Sequence, residues 1–271
     1  MYKFSAVLLC TLVLLAAKTA FSQADSIVLK DLDWNPNARA GMTELFIPSG
    51  DTKLAGFIYS ANGAQKHPTL LLLHGYPGNE RNLDLAQVVR AHGWNVIYFD
   101  YRGSWGSPGK FSFRHCVDDV VHVVDFCKKY QDSLRIDTSK IVLFGHSMGG
   151  FVCLKALQEL PGVRKGFALS TWDILHHPDT EIRYFVLNAS VKEIFGPVLT
   201  DRAYFDLAAN APALAGKQIL MLDEHNGNKT IAGAIRSANK SWFDYEVWPT
   251  DHPFTNKRVS LMHKLLEFLD R

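Results

Sequence analysis

Ile141-Val142-Leu143-Phe144-Gly145-His146-Ser147-Met148-Gly149-Gly150 decides how this chain folds. Its first four residues are apolar and rich in β-branched and aromatic types, which predicts a buried strand. The run Phe151-Val152-Cys153-Leu154-Lys155-Ala156-Leu157 that follows is compatible with a helix. A serine caught between strand and helix must sit on a very tight turn. Gly145 and Gly149 leave out the side chains that would collide there. Such a turn lifts the Ser147 hydroxyl above the sheet edge. It also aims the Met148 backbone N–H, at the positive helix N-terminus, toward whatever the hydroxyl attacks.

Working outward, Thr69 to Leu73 is a fully apolar strand that runs into His74-Gly75-Tyr76-Pro77-Gly78. Trp94 to Phe99 is another, ending in the glycine-rich Asp100-Tyr101-Arg102-Gly103-Ser104-Trp105-Gly106-Ser107-Pro108-Gly109. Upstream, Thr43 to Pro48 and Lys53 to Ser60 flank Ser49-Gly50-Asp51, a hairpin signal that predicts an antiparallel edge. Downstream, strands are expected over Gly166 to Ser170, Lys217 to Leu222 and Trp242 to Trp248. Helices are expected over Leu83 to Ala91, Phe113 to Tyr130, Thr230 to Asn239 and Asn256 to Asp270. Strands alternating with helices in this way predict an α/β domain with a largely parallel sheet.

The order and placement of these motifs resemble the α/β-hydrolases. In that family Gly-x-Ser-x-Gly is the nucleophile elbow, and a His-Gly turn after a central strand supplies the second oxyanion donor. The Asp100 to Gly109 segment resembles the Asp-x-Arg-Gly-x-Gly-x-Ser stretch of esterases and prolyl-oligopeptidase-like peptidases. Asp100 and Arg102 are read as locking that loop. The resemblance covers about Thr43 to Arg271. It implies a mostly parallel twisted sheet of about eight strands, helices on both faces and a small helical lid. The lid is expected over residues 172–214, where the strand–helix rhythm breaks.

The same resemblance implies acyl transfer to water through an acyl-serine. A serine hydroxyl is a weak nucleophile at neutral pH and needs a neutral imidazole to take its proton. The imidazole needs a carboxylate to fix its tautomer. Ser147 is the expected nucleophile and His252, in the loop between the last strand and last helix, the expected base. Tyr76 and Met148 are expected to supply the oxyanion-hole amides, and Tyr76 and Trp172 to contact substrate. The acid stays open. Asp223 ranks first by its spacing to His252, then Glu224, then Asp173. Asn226 aligns near the family's slot but is an amide, and an amide there would mean weak activity or mere binding. His176 and His177 are read as solvated.

Composition narrows the remaining choices. The chain has 271 residues, 47% hydrophobic and 21% charged, with a formal net charge of +2 and no run of basic or acidic residues, so no nucleic-acid partner is expected. Lys3, the apolar run Phe4 to Ala17 and the small residues Ala20 and Ser22 predict a signal peptide over residues 1–22, export, and no stable membrane insertion after cleavage. Residues 23–42 are expected to form a surface arm and 43–271 the hydrolase domain. Cys116 and Cys127 on one helix would lie roughly 16 Å apart, too far to bridge. With Cys153 they are expected to be buried thiols. No cofactor and no metal site are expected. The substrate partner is a small ester or short peptide. Three functions stay in view: a carboxylesterase, a prolyl-oligopeptidase-like peptidase or amidase, and a catalytically weak ligand-binding protein.

Overall fold

The structure is a computed structural model that describes residues 35–178, 187–224, 227–240 and 242–271. The proposed signal peptide and most of the arm lie outside these residues. So do Asn226 and residues 179–186 of the expected lid.

One eight-stranded sheet organises the domain: β1 (Gly41–Ser49), β2 (Thr52–Ser60), β3 (His67–Leu73), β4 (Asn95–Phe99), β5 (Ile136–His146), β6 (Lys165–Leu169), β7 (Gln218–Glu224) and β8 (Phe243–Trp248). Their spatial order is β1-β2-β4-β3-β5-β6-β7-β8. β1 pairs with β2, and β2 with β4, antiparallel. All other neighbours are parallel. The apolar runs explain this. Leu70 to Leu73, Val96 to Phe99 and Leu143 to Phe144 are all buried, as parallel strands covered on both faces must be. β1 instead alternates exposed and buried residues toward its end, the pattern of an edge strand with one solvated face.

Helices α1 (Leu83–Ala91), α2 (Phe113–Lys129), α3 (Met148–Glu159) and α6 (Lys229–Ala238) connect successive strands, and α7 (Arg258–Asp270) follows β8 and closes the chain. Between β6 and β7, where a lid is expected, stand α4 (Val191–Thr200) and the short α5 (Arg202–Phe205). α4 opens on a capping box, with Ser190 and Glu193 exchanging side-chain and backbone bonds. Cys116, Cys127 and Cys153 are buried and free, as expected.

The topology places the site. From β3 the chain steps to β4 on one side, then crosses back over β3 to β5 on the other. In open parallel sheets the crevice beyond the strand ends at such a reversal is where ligands bind. The carboxyl ends of β3 and β5 lead into His74-Gly75-Tyr76 and into Ser147. The two turns touch: a Cβ added to Gly75 would stand 3.1 Å from the Ser147 Cβ and 3.7 Å from its Oγ.

The Asp100 to Gly109 loop is held as expected, with one partner that its own sequence does not reveal. Asp119, fully buried on α2, accepts from the Arg102 backbone N–H at 2.7 Å and from its guanidinium at 2.9 Å. Asp100 accepts from the Tyr98 hydroxyl at 2.9 Å, and its carbonyl from the Ser107 hydroxyl at 2.6 Å.

Candidate active site

Ser147 adopts φ 60° and ψ −118°, a conformation that non-glycine residues rarely take. The turn that holds it is close-packed at the glycines on either side. A Cβ on Gly145 would come within 1.9 Å of the Gly149 carbonyl oxygen, and one on Gly149 within 2.1 Å of the Leu73 carbonyl oxygen. The turn is also tied to β6. The Ser147 N–H donates to the Leu169 carbonyl at 2.8 Å, and its carbonyl accepts from the Trp172 N–H at 3.0 Å. Met148 is the first residue of α3, so its amide is among those with no partner inside the helix.

A cleft of about 510 Å³ opens over this turn, and its lining includes Tyr76, Ser147, Trp172, Asp173, Glu224 and His252. Tyr76 and Trp172 form one wall, their ring centroids 5.6 Å apart. Behind them lie Phe113 and Phe195, both buried, with Phe113 5.8 Å and Phe195 6.0 Å from the Trp172 ring.

His252 stands on the loop between β8 and α7, its side chain half exposed. Of the three carboxylates considered for it, Glu224 is the one that reaches it, with Oε1 2.6 Å from Nδ1. The Ser170 hydroxyl donates to the other Glu224 oxygen. Burial pushes the Glu224 carboxyl up, but the hydrogen bonds from His252 and Ser170 outweigh it and hold the group at about 2.

Asp223, ranked first from sequence, points elsewhere. Side chains alternate faces along a strand, so adjacent residues at the end of β7 diverge. The Asp223 carboxylate is buried and accepts from the Thr171 N–H at 3.2 Å, the Asn228 N–H at 2.8 Å and the Asn228 side-chain amide at 3.2 Å. Burial raises its pKa against those bonds. Asp173 lines the cleft but pairs with His176, Oδ2 to Nδ1 at 2.9 Å. Asp251 caps the Thr255 N–H at 2.6 Å.

Sequence reasoning missed several contributors. His177 is exposed, as expected, but it also borders the cleft, and its backbone carbonyl accepts from the Trp172 indole at 2.7 Å. Ser170 belongs to no motif, and Asn228 only to the glycosylation sequon Asn228-Lys229-Thr230. Their roles come from where the ends of β6 and β7 fall side by side, with Leu169 opposite Leu222. Among the described residues no cluster of His, Cys, Asp and Glu could hold a metal ion. No helix among them is long and apolar enough to cross a membrane.

Comparison with known proteins adds to this geometry. Lysophosphatidylserine lipase ABHD12 of Rattus norvegicus is 33% identical over 100 residues, which is 36% of this chain and 24% of the relative. The match thus spans about a quarter of the length of that relative. An uncharacterized protein of Mycobacterium tuberculosis, MT2364, is 26% identical over 158 residues, covering 54% of this chain and 55% of the other. Among solved structures, the esterase Pf2001 of Pyrococcus furiosus superposes with a TM-score of 0.62 at 20% identity, covering 89% of this chain and 97% of its own. Est1E from Butyrivibrio proteoclasticus does so with a TM-score of 0.64 at 16% identity, covering 84% of this chain and 99% of its own. These two likenesses show the fold. The model of the family described as serine aminopeptidase, S33, matches residues 64–200, half of the chain, from the approach to β3 through α4. With the sheet order and the Ser147 turn already in place, the chain belongs to that family, within the α/β-hydrolase superfamily.

Proposed function

We propose that this protein is an exported serine hydrolase that cleaves a small ester. The observation that carries the reading is a constellation in one cleft. It holds a serine lifted on a strained strand-to-helix turn and a histidine whose Nδ1 lies 2.6 Å from a carboxylate held ionised.

In this reading Glu224 accepts the His252 Nδ1–H and leaves Nε2 free to act as base. His252 takes the Ser147 proton as Oγ attacks the carbonyl carbon. The negative charge moves to the carbonyl oxygen, where the Tyr76 and Met148 amides receive it. One such donor is worth roughly 2.7–4 kcal/mol to the transition state. His252 then gives its proton to the leaving alcohol, and the C–O bond breaks. A water, deprotonated by the same imidazole, attacks the acyl-serine and regenerates the hydroxyl. Tyr76 and Trp172 face the acyl or leaving group. A cleft of about 510 Å³ suits a small molecule, since ligand sites run from roughly 300 to 1,000 Å³.

The binding-only reading rested on an amide in the acid position. The Glu224 carboxylate, 2.6 Å from His252 Nδ1, favours hydrolysis over binding alone. The peptidase reading rests on the Asp100 to Gly109 resemblance and on the aminopeptidase family description, and direct competition decides it.

A fluorophosphonate probe is expected to label Ser147 in the wild type, not in Ser147→Ala, and far more slowly in His252→Ala. Folded wild-type protein that resists the probe would overturn the hydrolase reading. p-Nitrophenyl esters are expected to turn over, and aminoacyl p-nitroanilides to do so much more slowly. The reverse order would make it a peptidase. The export claim is tested by the N-terminus of secreted protein, which should begin at Gln23.

A further inference from the structure

We infer that His146 is a positioning residue: it fixes the backbone of the His252 loop to the strand end that presents Ser147. This inference rests on the hydrolase reading above.

The contacts are specific. His146 is the last residue of β5, immediately before Ser147, and its side chain is buried. Its Nε2 lies 2.9 Å from the His252 carbonyl oxygen. A carbonyl can only accept, so Nε2 carries the proton. In a neutral ring Nδ1 is then an acceptor, and it faces the Asn82 side-chain amide at 3.5 Å. The Asn82 oxygen in turn accepts from Arg258 Nη1 at 3.0 Å. The same Nη1 donates to the Pro253 carbonyl at 3.0 Å, and Arg258 also pairs with Asp84. Two consecutive carbonyls of the histidine loop are therefore held, one by His146 and one by Arg258. The His146 and His252 rings also pack, centroids 4.8 Å apart. Burial, together with the nearby His252, lowers the His146 pKa to about 4, so the ring is neutral at ordinary pH and keeps this arrangement.

The physical consequence is a shared reference point. Proton transfer from Ser147 to His252 depends on the distance between groups on two segments far apart in sequence. His146 is bonded covalently to one and by hydrogen bond to the other. Small displacements matter, since a misplacement of about 1 Å can cost roughly a hundredfold in rate.

The test compares His146→Leu, His146→Gln, His146→Asn and Arg258→Met, with p-nitrophenyl acetate turnover, fluorophosphonate labelling rate and thermal melting. His146→Leu is expected to lower kcat about tenfold to a hundredfold with KM nearly unchanged, and to slow labelling in step. His146→Gln can place an amide N–H where Nε2 stands and should recover most of the loss. His146→Asn, whose shorter amide reaches only the Nδ1 side, should not. Arg258→Met should fall between. Should His146→Leu fail to fold, the Gln and Asn pair decides. Wild-type kcat in folded His146→Leu, or equal activity in the Gln and Asn variants, overturns the inference. Full activity in Ser147→Ala or His252→Ala would instead overturn the hydrolase reading.

Discussion

The serine side and the acid–base side of this cleft are built by different means. Ser147 is placed by a close-packed backbone turn. No Cβ would fit at Gly145 or Gly149, and the serine between them stands at φ 60°. Glu224 and His252 are placed by side chains that reach across from three segments: the end of β7, the loop after β8, and Ser170 at the end of β6. One arrangement is signalled by glycines two residues either side of the serine, although Gly149 is packed against the Leu73 carbonyl of β3. The other exists only once the sheet has set β6 beside β7 and β7 beside β8. The two should therefore fail differently when altered.

The largest expected effect lies on the acid–base side. Glu224→Gln keeps the shape but cannot stabilise an imidazolium, and it allows the wrong imidazole tautomer. A comparable change in a serine triad costs roughly 10⁴-fold in kcat. The expected outcome is a loss of that order in ester turnover, with a melting temperature close to wild type. A loss under tenfold would mean that another group serves His252.

On the serine side the expected failure is in the fold. Gly145→Ala places a methyl 1.9 Å from the Gly149 carbonyl oxygen, which is backbone and has nowhere to go. Destabilisation beyond about 4 kcal/mol is expected, in the range reserved for gross steric conflict. Chemical denaturation measures it, and a stable, active Gly145→Ala protein would show that the turn tolerates rearrangement.

This contrast explains what the sequence discloses. The strands, their helices and the position of the serine turn are set by local periodicity and glycine spacing, and each expected element is present within a few residues. The acid is not legible in the same way. Asp223 and Glu224 are adjacent and both acidic, and spacing to His252 favours the first. Which of them meets the imidazole depends on the facing of the last β7 residues and on reach. Glu224 carries one more methylene and points to the cleft; Asp223 points to Thr171 and Asn228. Asp119 and His146 were likewise invisible as contributors, because their partners lie on other segments.

The link between the two sides should be visible in acid. Burial lowers the His146 pKa from 6.5 to about 4, so the folded state binds fewer protons than the unfolded state between those values. Its stabilising effect is complete above about pH 6.5 and declines until about pH 4. A shift of this size corresponds to about 3 kcal/mol. Glu224, held at about 2 instead of 4.5, adds a loss of the same sign at lower pH, beginning below about 4.5. Asp223, raised by burial, acts in the opposite sense. Urea unfolding from pH 7 to 4 is expected to show falling stability, with a shallower slope in His146→Gln. Parallel slopes would mean that His146 ionises as freely folded as unfolded.

The smallest expected effect falls on the neighbour of the acid. The Asp223 carboxylate accepts three bonds that tie the loop after β6 to the loop after β7. Asp223→Asn keeps one oxygen but turns an N–H₂ toward a backbone or side-chain donor. The cost is that of a buried donor left without an acceptor, about 1–3 kcal/mol. Because Asp223 touches neither His252 nor Ser147, kcat should stay within about tenfold of wild type, the cost of a small shift in Glu224 and not of its loss. Measured beside Glu224→Gln, the pair separates the two roles: stability falls in one and turnover in the other. If Asp223→Asn instead abolishes turnover while Glu224→Gln spares it, the carboxylate that serves the imidazole is the buried one, and the end of β7 must turn over before the enzyme works.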